Sequence, residues 1–185
     1  MTTTLSSGTY AIDSAHTNVE FAVKHMMITT VKGRFGDVKG TLELPEKGQP
    51  KVNVTIGVAS IDTRTEARDT HLRSPDFFDV EKFPEMRFVS TKADRTDEGW
   101  TLIGDLTIKG TTRPVTLSVT EEGAGVDPWG NQKVAFSATT KFNRRDFGLT
   151  WNAALETGGV LVGEEVKLSI DAQLVKQSAA AMKAA

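Results

Sequence analysis

Apolar residues recur at every second position through much of the chain. Val52, Val54, Ile56 and Val58 alternate with Asn53, Thr55 and Gly57, and Trp100, Leu102, Leu106 and Ile108 share one parity with Gly104 between them. Val115, Leu117 and Val119 repeat the pattern. So do Val134, Phe136, Ala138 and Phe142, and then Val166, Leu168, Ile170, Ala172 and Leu174. Near the N-terminus Val19-Glu20-Phe21-Ala22-Val23 alternates in the same way. Successive side chains of a strand point to opposite faces, so each stretch predicts a strand with one buried face. The breaks, Pro45–Pro50, Thr96–Gly99, Lys109–Pro114 and Asp127–Gln132, are rich in Gly, Pro, Asn and Asp and predict turns. Roughly eight strands joined by hairpin-length turns predict an antiparallel all-β barrel or sandwich.

One strand slips parity. Phe35 is odd, whereas Val38, Leu42 and Leu44 are even. A β-bulge near Gly36-Asp37 would return all four to one face. Long, bent strands of this kind suit a closed barrel better than a flat sandwich.

A single helix interrupts the strands after residue 63, within Ser60–Pro75. Thr63 and Glu66 have the spacing of a capping box, and Pro75 stops the helix by pushing Ser74 out of the α region. Only Ala67 and Leu72 in it are apolar. A short polar helix is marginal alone and must be held by its surroundings. The segment that follows carries Phe77, Phe78, Val80, Phe83 and Met86. It either plugs one end of the barrel or lines an opening.

Composition narrows the function. With 38% hydrophobic and 25% charged residues in 185, the chain is globular and fits one barrel domain over residues 1–176, with a flexible tail at 177–185. A net charge of −2 offers no basic excess for nucleic acid. There is no cysteine, hence no thiolate nucleophile or thiolate metal site. No run of about 18 apolar residues predicts a membrane span. The opening MTTTLSSGTY has neither a basic nor an apolar signal region, so the expected location is cytoplasmic.

Catalytic and metal patterns are missing. His16 and His25 are nine apart, on opposite faces of a regular strand, and His71 lies on the helix, so no metal site is expected. No serine sits in a G-x-S-x-G elbow, and no glycine-rich phosphate loop precedes a helix. Asp69 and His71, two apart on a helix, do not face each other. Arg144-Arg145-Asp146 could hold an anion or form a strand-end salt bridge. No cofactor is expected. The inward set mixes Phe21, Phe35, Phe88 and Phe136 with Ala138, Ala172 and Gly104. Such a set fills a solid core or leaves a ligand cavity, and composition alone does not choose.

The blocks YAIDSAHTNVEFAVKH, VKGRFGDVKGTL, IDTRTEARDTHLRSPDFFDVEKFPEMRF, GDLTIKGTTRPVTL, RRDFGL and GEEVKLSIDAQL, running from Tyr10 to about Leu174, resemble the YceI-like family. The resemblance implies an eight-stranded antiparallel lipocalin-like barrel around a lengthwise apolar cavity. It implies non-enzymatic binding of a long-chain isoprenoid or fatty lipid, such as an isoprenoid quinone or an isoprenyl diphosphate, by a homodimer. The candidate ligand-binding residues are Phe21, Val23, His25, Phe35, His71, Phe77, Phe78, Phe88, Phe136, Ala138, Phe142 and Trp151. Phe21, Val23 and His25 share the inward parity, with His25 near an end of the lumen, and His16 is structural. The rival reading is an enzyme on a hydrophobic substrate, with His25 or His71 as acid or base.

Overall fold

The computed structural model describes residues 5–156 and 158–178. Its strands are β1 (Gly8–Ile12), β2 (Asn18–His25), β3 (Thr29–Leu44), β4 (Lys51–Asp62), β5 (Glu85–Thr96), β6 (Gly99–Ile108), β7 (Thr111–Val126), β8 (Gln132–Asn143) and β9 (Val162–Lys176). One helix, α1 (Glu66–Arg73), lies between β4 and β5. Every pairing is antiparallel, and the ring closes where β3 meets β4. Nine segments fill eight places, because β1 and β2 share the place between β3 and β9. The fold is a closed eight-stranded antiparallel barrel.

Asp13 makes the break in that shared place. Ile12 pairs with Leu174 and Asn18 with Asp171, so the intervening residues leave the ladder as a 3-10 turn, Ser14–His16. The Asp13 carboxylate caps this turn, accepting from the Ala15 amide at 3.2 Å and meeting His16 Nδ1 at 2.9 Å. His16 is thus a turn residue.

The bulge expected near Gly36-Asp37 is present as a register shift between Phe35 and Asp37. Ser60 Oγ holds it, accepting from the amides of Gly36 and Asp37 at 3.1 and 3.0 Å and donating to Gly57 O at 2.6 Å. Phe35, Val38 and Leu42 consequently all reach the interior. The Lys109–Pro114 turn is shorter than its composition suggested. It is a two-residue I′-type connection with positive φ at Lys109 and Gly110, after which β7 begins at Thr111. Pro114 is tolerated because β7 pairs with β8 only from Ser118 onward.

The two ends of the barrel differ. At the helix end, Val58, Ile61 and Phe147 are each 1% exposed, and α1 with its following segment closes the opening. Arg73 ties the helix down through the carbonyls of Ala59 and Ile61. Phe77 is buried and Phe78 packs on the core, so this segment is a plug. At the other end lie the three hairpin turns β3–β4, β5–β6 and β7–β8, referred to below as the turn end.

The capping box does not form. The helix starts at Glu66, and Thr63 instead donates its amide and hydroxyl to buried Asp69 at 2.9 and 2.5 Å. Glu66 reaches forward to Thr70 and Arg73. A helix-interior carboxylate thereby replaces the Glu66 amide as the partner of Thr63. Of the tail expected to be flexible, residues 179–185 lie outside the described residues, and the Gln177 amide donates to Thr9 O at 2.8 Å.

Candidate functional site

A cavity of about 200 Å³ runs along the barrel axis. The alternating strand positions build it: Val52, Val54 and Ile56 of β4, Leu102 and Leu106 of β6, Leu117 and Val119 of β7, and Leu168, Ile170, Ala172 and Leu174 of β9. Among the described residues no charged side chain lines it, and its polar groups are the hydroxyls of Thr17, Thr41 and Thr140 and the indole N–H of Trp100. The Thr140 hydroxyl donates to Thr116 O at 2.7 Å, and that of Thr17 accepts from the Gln173 amide at 3.2 Å. These two threonines already have backbone partners. From Leu168 to Leu174 the wall spans about 20 Å at the rise of a strand.

Among the described residues the cavity lining extends toward one end of the barrel. Its lining reaches Leu5, Leu44 at the last position of β3, Pro50 just before β4, and Trp100 at the start of β6. This is the turn end. Toward the helix end the lining stops at Val19, Val38, Ile56 and Val115, and Phe35, Ile61, Phe147 and Leu149 fill the barrel beyond.

The sequence-predicted site residues fall into separate groups. Phe88, Phe136 and Ala138 line the cavity. Phe21, Phe35 and Phe78 form a ladder in the closed half, with ring centroids 5.6 Å apart for the first pair and 6.1 Å for the second. Phe142 stacks edge-on against Phe147 at 5.1 Å. His71, Phe77 and Trp151 make a triangle of rings beside α1, at 5.1, 4.7 and 5.3 Å, and the His71 Nε2 meets Asp76 at 2.8 Å. Val23 and His25 sit at the β2–β3 hairpin, opposite Val31 and Thr29. Neither His25 nor His71 borders the cavity. Among the described residues no cluster of His, Asp or Glu could hold a metal.

The pairing of large with small residues explains where space remains. Phe21 packs its ring over its cross-strand partner Gly33, and Phe88 over Gly104. These glycines hold no void. Ala138 and Ala172 have no such cover and border the cavity. Parity marked most of the lining, whereas Leu5 carried no signal, because it lies before the first strand, separated from it by a bend at Ser7.

Arg144 is neither an anion site nor a salt bridge. It is 3% exposed and donates to the carbonyls of Gly163, Leu149, Trp151 and Val162. Burial, the largest influence, pulls its pKa below the ordinary arginine value. It pins the loop before β9 to the closed end. The strand-end salt bridge belongs to its neighbour, Arg145 with Glu164, at 3.3 Å.

This architecture is shared. The family model of the YceI-like domain matches residues 10–174. A UPF0312 protein of Staphylococcus aureus is 38% identical over 167 residues, covering 89% of this chain and 95% of the relative. One from Serratia proteamaculans is 41% identical over 145 residues, 76% of each chain. Among solved structures, Burkholderia cenocepacia BcnA matches with a TM-score of 0.74 and 25% identity over 88% of this chain and 98% of its own. The Campylobacter jejuni YCEI protein matches at 0.71 and 31% over 90% and 96%. A polyisoprenoid binding domain from Saccharophagus degradans shares the fold at 0.68, with 12% identity over 91% and 98%. The chain belongs to the YceI-like family.

Proposed function

We propose that the barrel binds the hydrocarbon tail of a long-chain lipid, a polyisoprenoid, and acts as a carrier rather than an enzyme. The observation that carries this reading is the lining: an apolar tube about 20 Å long at strand rise, free of charged side chains. Each methylene moved from water into such a tube contributes about 0.8 kcal/mol, so an apolar tail binds without a polar anchor; a cavity of about 200 Å³ holds only a short stretch of that tail, and a longer one enters as the side chains of the wall move apart. The ligand class of the Saccharophagus degradans domain, which has the same fold, supports the polyisoprenoid.

The same lining argues for the orientation. A quinone or diphosphate head pushed into the closed half would lose its water without gaining partners. The tail therefore enters first, and the head stays at the turn end. With neither His25 nor His71 at the cavity wall, no general base among the described residues faces the bound chain. Native mass spectrometry after incubation with a prenyl quinone tests the reading. It predicts a 1:1 adduct whose lipid is released unchanged. Turnover of the lipid, or no adduct at saturating concentration, overturns it.

A further inference from the structure

The β7–β8 hairpin displays two large apolar side chains to solvent. Trp129 is 82% exposed and Val126 67%. The turn that carries them is tightly built. Asp127 accepts from the amides of Trp129 and Asn131 at 3.0 and 2.9 Å and from the Asn131 side chain at 2.9 Å. Its own amide donates to Asn131 O at 3.0 Å, and Gly130 supplies the positive φ the turn requires. Hydrogen bonding to Asn131, ahead of the other influences, holds the Asp127 carboxyl below its ordinary pKa, so it stays an acceptor at neutral pH. The exposure of the indole is therefore set by an ordered turn.

Its place matters. The hairpin rises from Val134, which pairs with Leu174 at the end of the cavity wall, and Ser6, next to the mouth residue Leu5, donates to Gln132 at its base. The tip thus stands beside the end toward which the cavity extends among the described residues. Tryptophan favours the boundary between water and hydrocarbon, where its ring is buried and its N–H stays wet. We propose that Trp129 and Val126 form a docking tip that seats the cavity mouth on a neutral lipid bilayer. This rests on the lipid-binding reading for its purpose, since the ligand resides in membranes, but its test does not.

The charge of the turn end selects the kind of surface. The three turns carry Glu46, Asp97, Glu98 and Asp127 against Lys47. Lys133 at the hairpin base is paired with Asp13 and Asp127 at 3.5 and 3.6 Å. Among the described residues of these turns there is no cationic excess to seek anionic headgroups, so docking is driven by the apolar tip and is indifferent to salt. A second exposed apolar tip, Met26, Met27 and Ile28 in the β2–β3 turn, is at the closed end and opposes no mouth.

Flotation of the full chain with phosphatidylcholine vesicles tests the docking tip. Trp129→Ser leaves the core untouched and is expected to lower vesicle partitioning about tenfold, as for the loss of one apolar anchor. Raising salt is expected to change partitioning little, and Met27→Ser with Ile28→Ser to leave it unchanged. Uptake of a prenyl lipid delivered from cyclodextrin is expected to be equal in wild type and Trp129→Ser. Failure of that uptake in both proteins overturns the cavity reading alone. The docking tip is overturned if Trp129→Ser floats like wild type, if the Met27 and Ile28 changes abolish flotation, or if wild type is a dimer that Trp129→Ser dissociates.

Discussion

Phe88 of β5 lies over Gly104 of β6, its ring occupying the space a side chain at residue 104 would need. The pair narrows the cavity from one wall while Ala138 and Ala172 leave it open at the other. Gly104→Ala would push a methyl group into the ring and adjoining backbone, and the expected cost is about 1–3 kcal/mol, the range for overpacking a filled interior. Phe88→Ala is expected to cost about 3 kcal/mol and to widen the cavity, so that branched or bulkier lipids bind where wild type excludes them. Chemical denaturation and a competition series with lipids of graded width measure both.

Ala138→Trp fills the opposite wall. Because the cavity is one tube closed at the helix end, a plug at residue 138 shortens the bound tail instead of abolishing binding. Long prenyl chains should lose affinity while chains that fit between the plug and the mouth keep theirs. Isothermal titration across chain lengths, with circular dichroism to confirm the fold, reads the result. Equal loss at all lengths contradicts a tube.

Asp69 is 4% exposed and holds both the amide and the hydroxyl of Thr63. Asp69→Ala strands a buried amide donor and should lower stability by about 1–3 kcal/mol. Thr63→Ala should cost less, since the hydrogen bond from the residue-63 amide to Asp69 survives. The helix closes the end away from the mouth, so neither change should alter the lipid off-rate by more than the loss in stability does. Stopped-flow displacement of a fluorescent lipid compares the two.

Acid should loosen the strand break. Burial raises the Asp13 pKa, but hydrogen bonds from His16 and Gln173 and the charge of Lys133 outweigh it, and the net value falls below the ordinary one. A carboxyl with a depressed folded-state pKa contributes stability above its unfolded value, about pH 4, and that contribution disappears as pH falls through the folded value. Asp13→Asn should therefore be less stable than wild type at neutral pH, and the gap should close below about pH 4. An unchanged gap across the acid range, followed by denaturant midpoints, contradicts this account of the break.

Much of this was legible before the fold was known. A period of two leaves little freedom once one face is buried, so Val52 to Ile56 and Leu168 to Leu174 were correctly set on the inner wall. Parity likewise located the bulge, because Phe35 and Val38 could not otherwise share a face. The depth along the axis was not legible. Parity puts Phe21 and Phe35 inward without saying that they lie beyond the cavity, packed on Phe78. Nor does local spacing reveal that Thr63 turns to Asp69 instead of the Glu66 amide, a choice made by the burial of that carboxylate against the barrel.

The position of the bound chain decides the central claim. Intermolecular nuclear Overhauser effects between a prenyl lipid and methyl-labelled protein measure it directly. The account predicts contacts from the prenyl methyls to Ala138, Ile170, Ala172 and Leu174, with none to the His71–Phe77–Trp151 triangle. Saturable binding with contacts confined to that triangle, or to the outer faces of the strands, would contradict it.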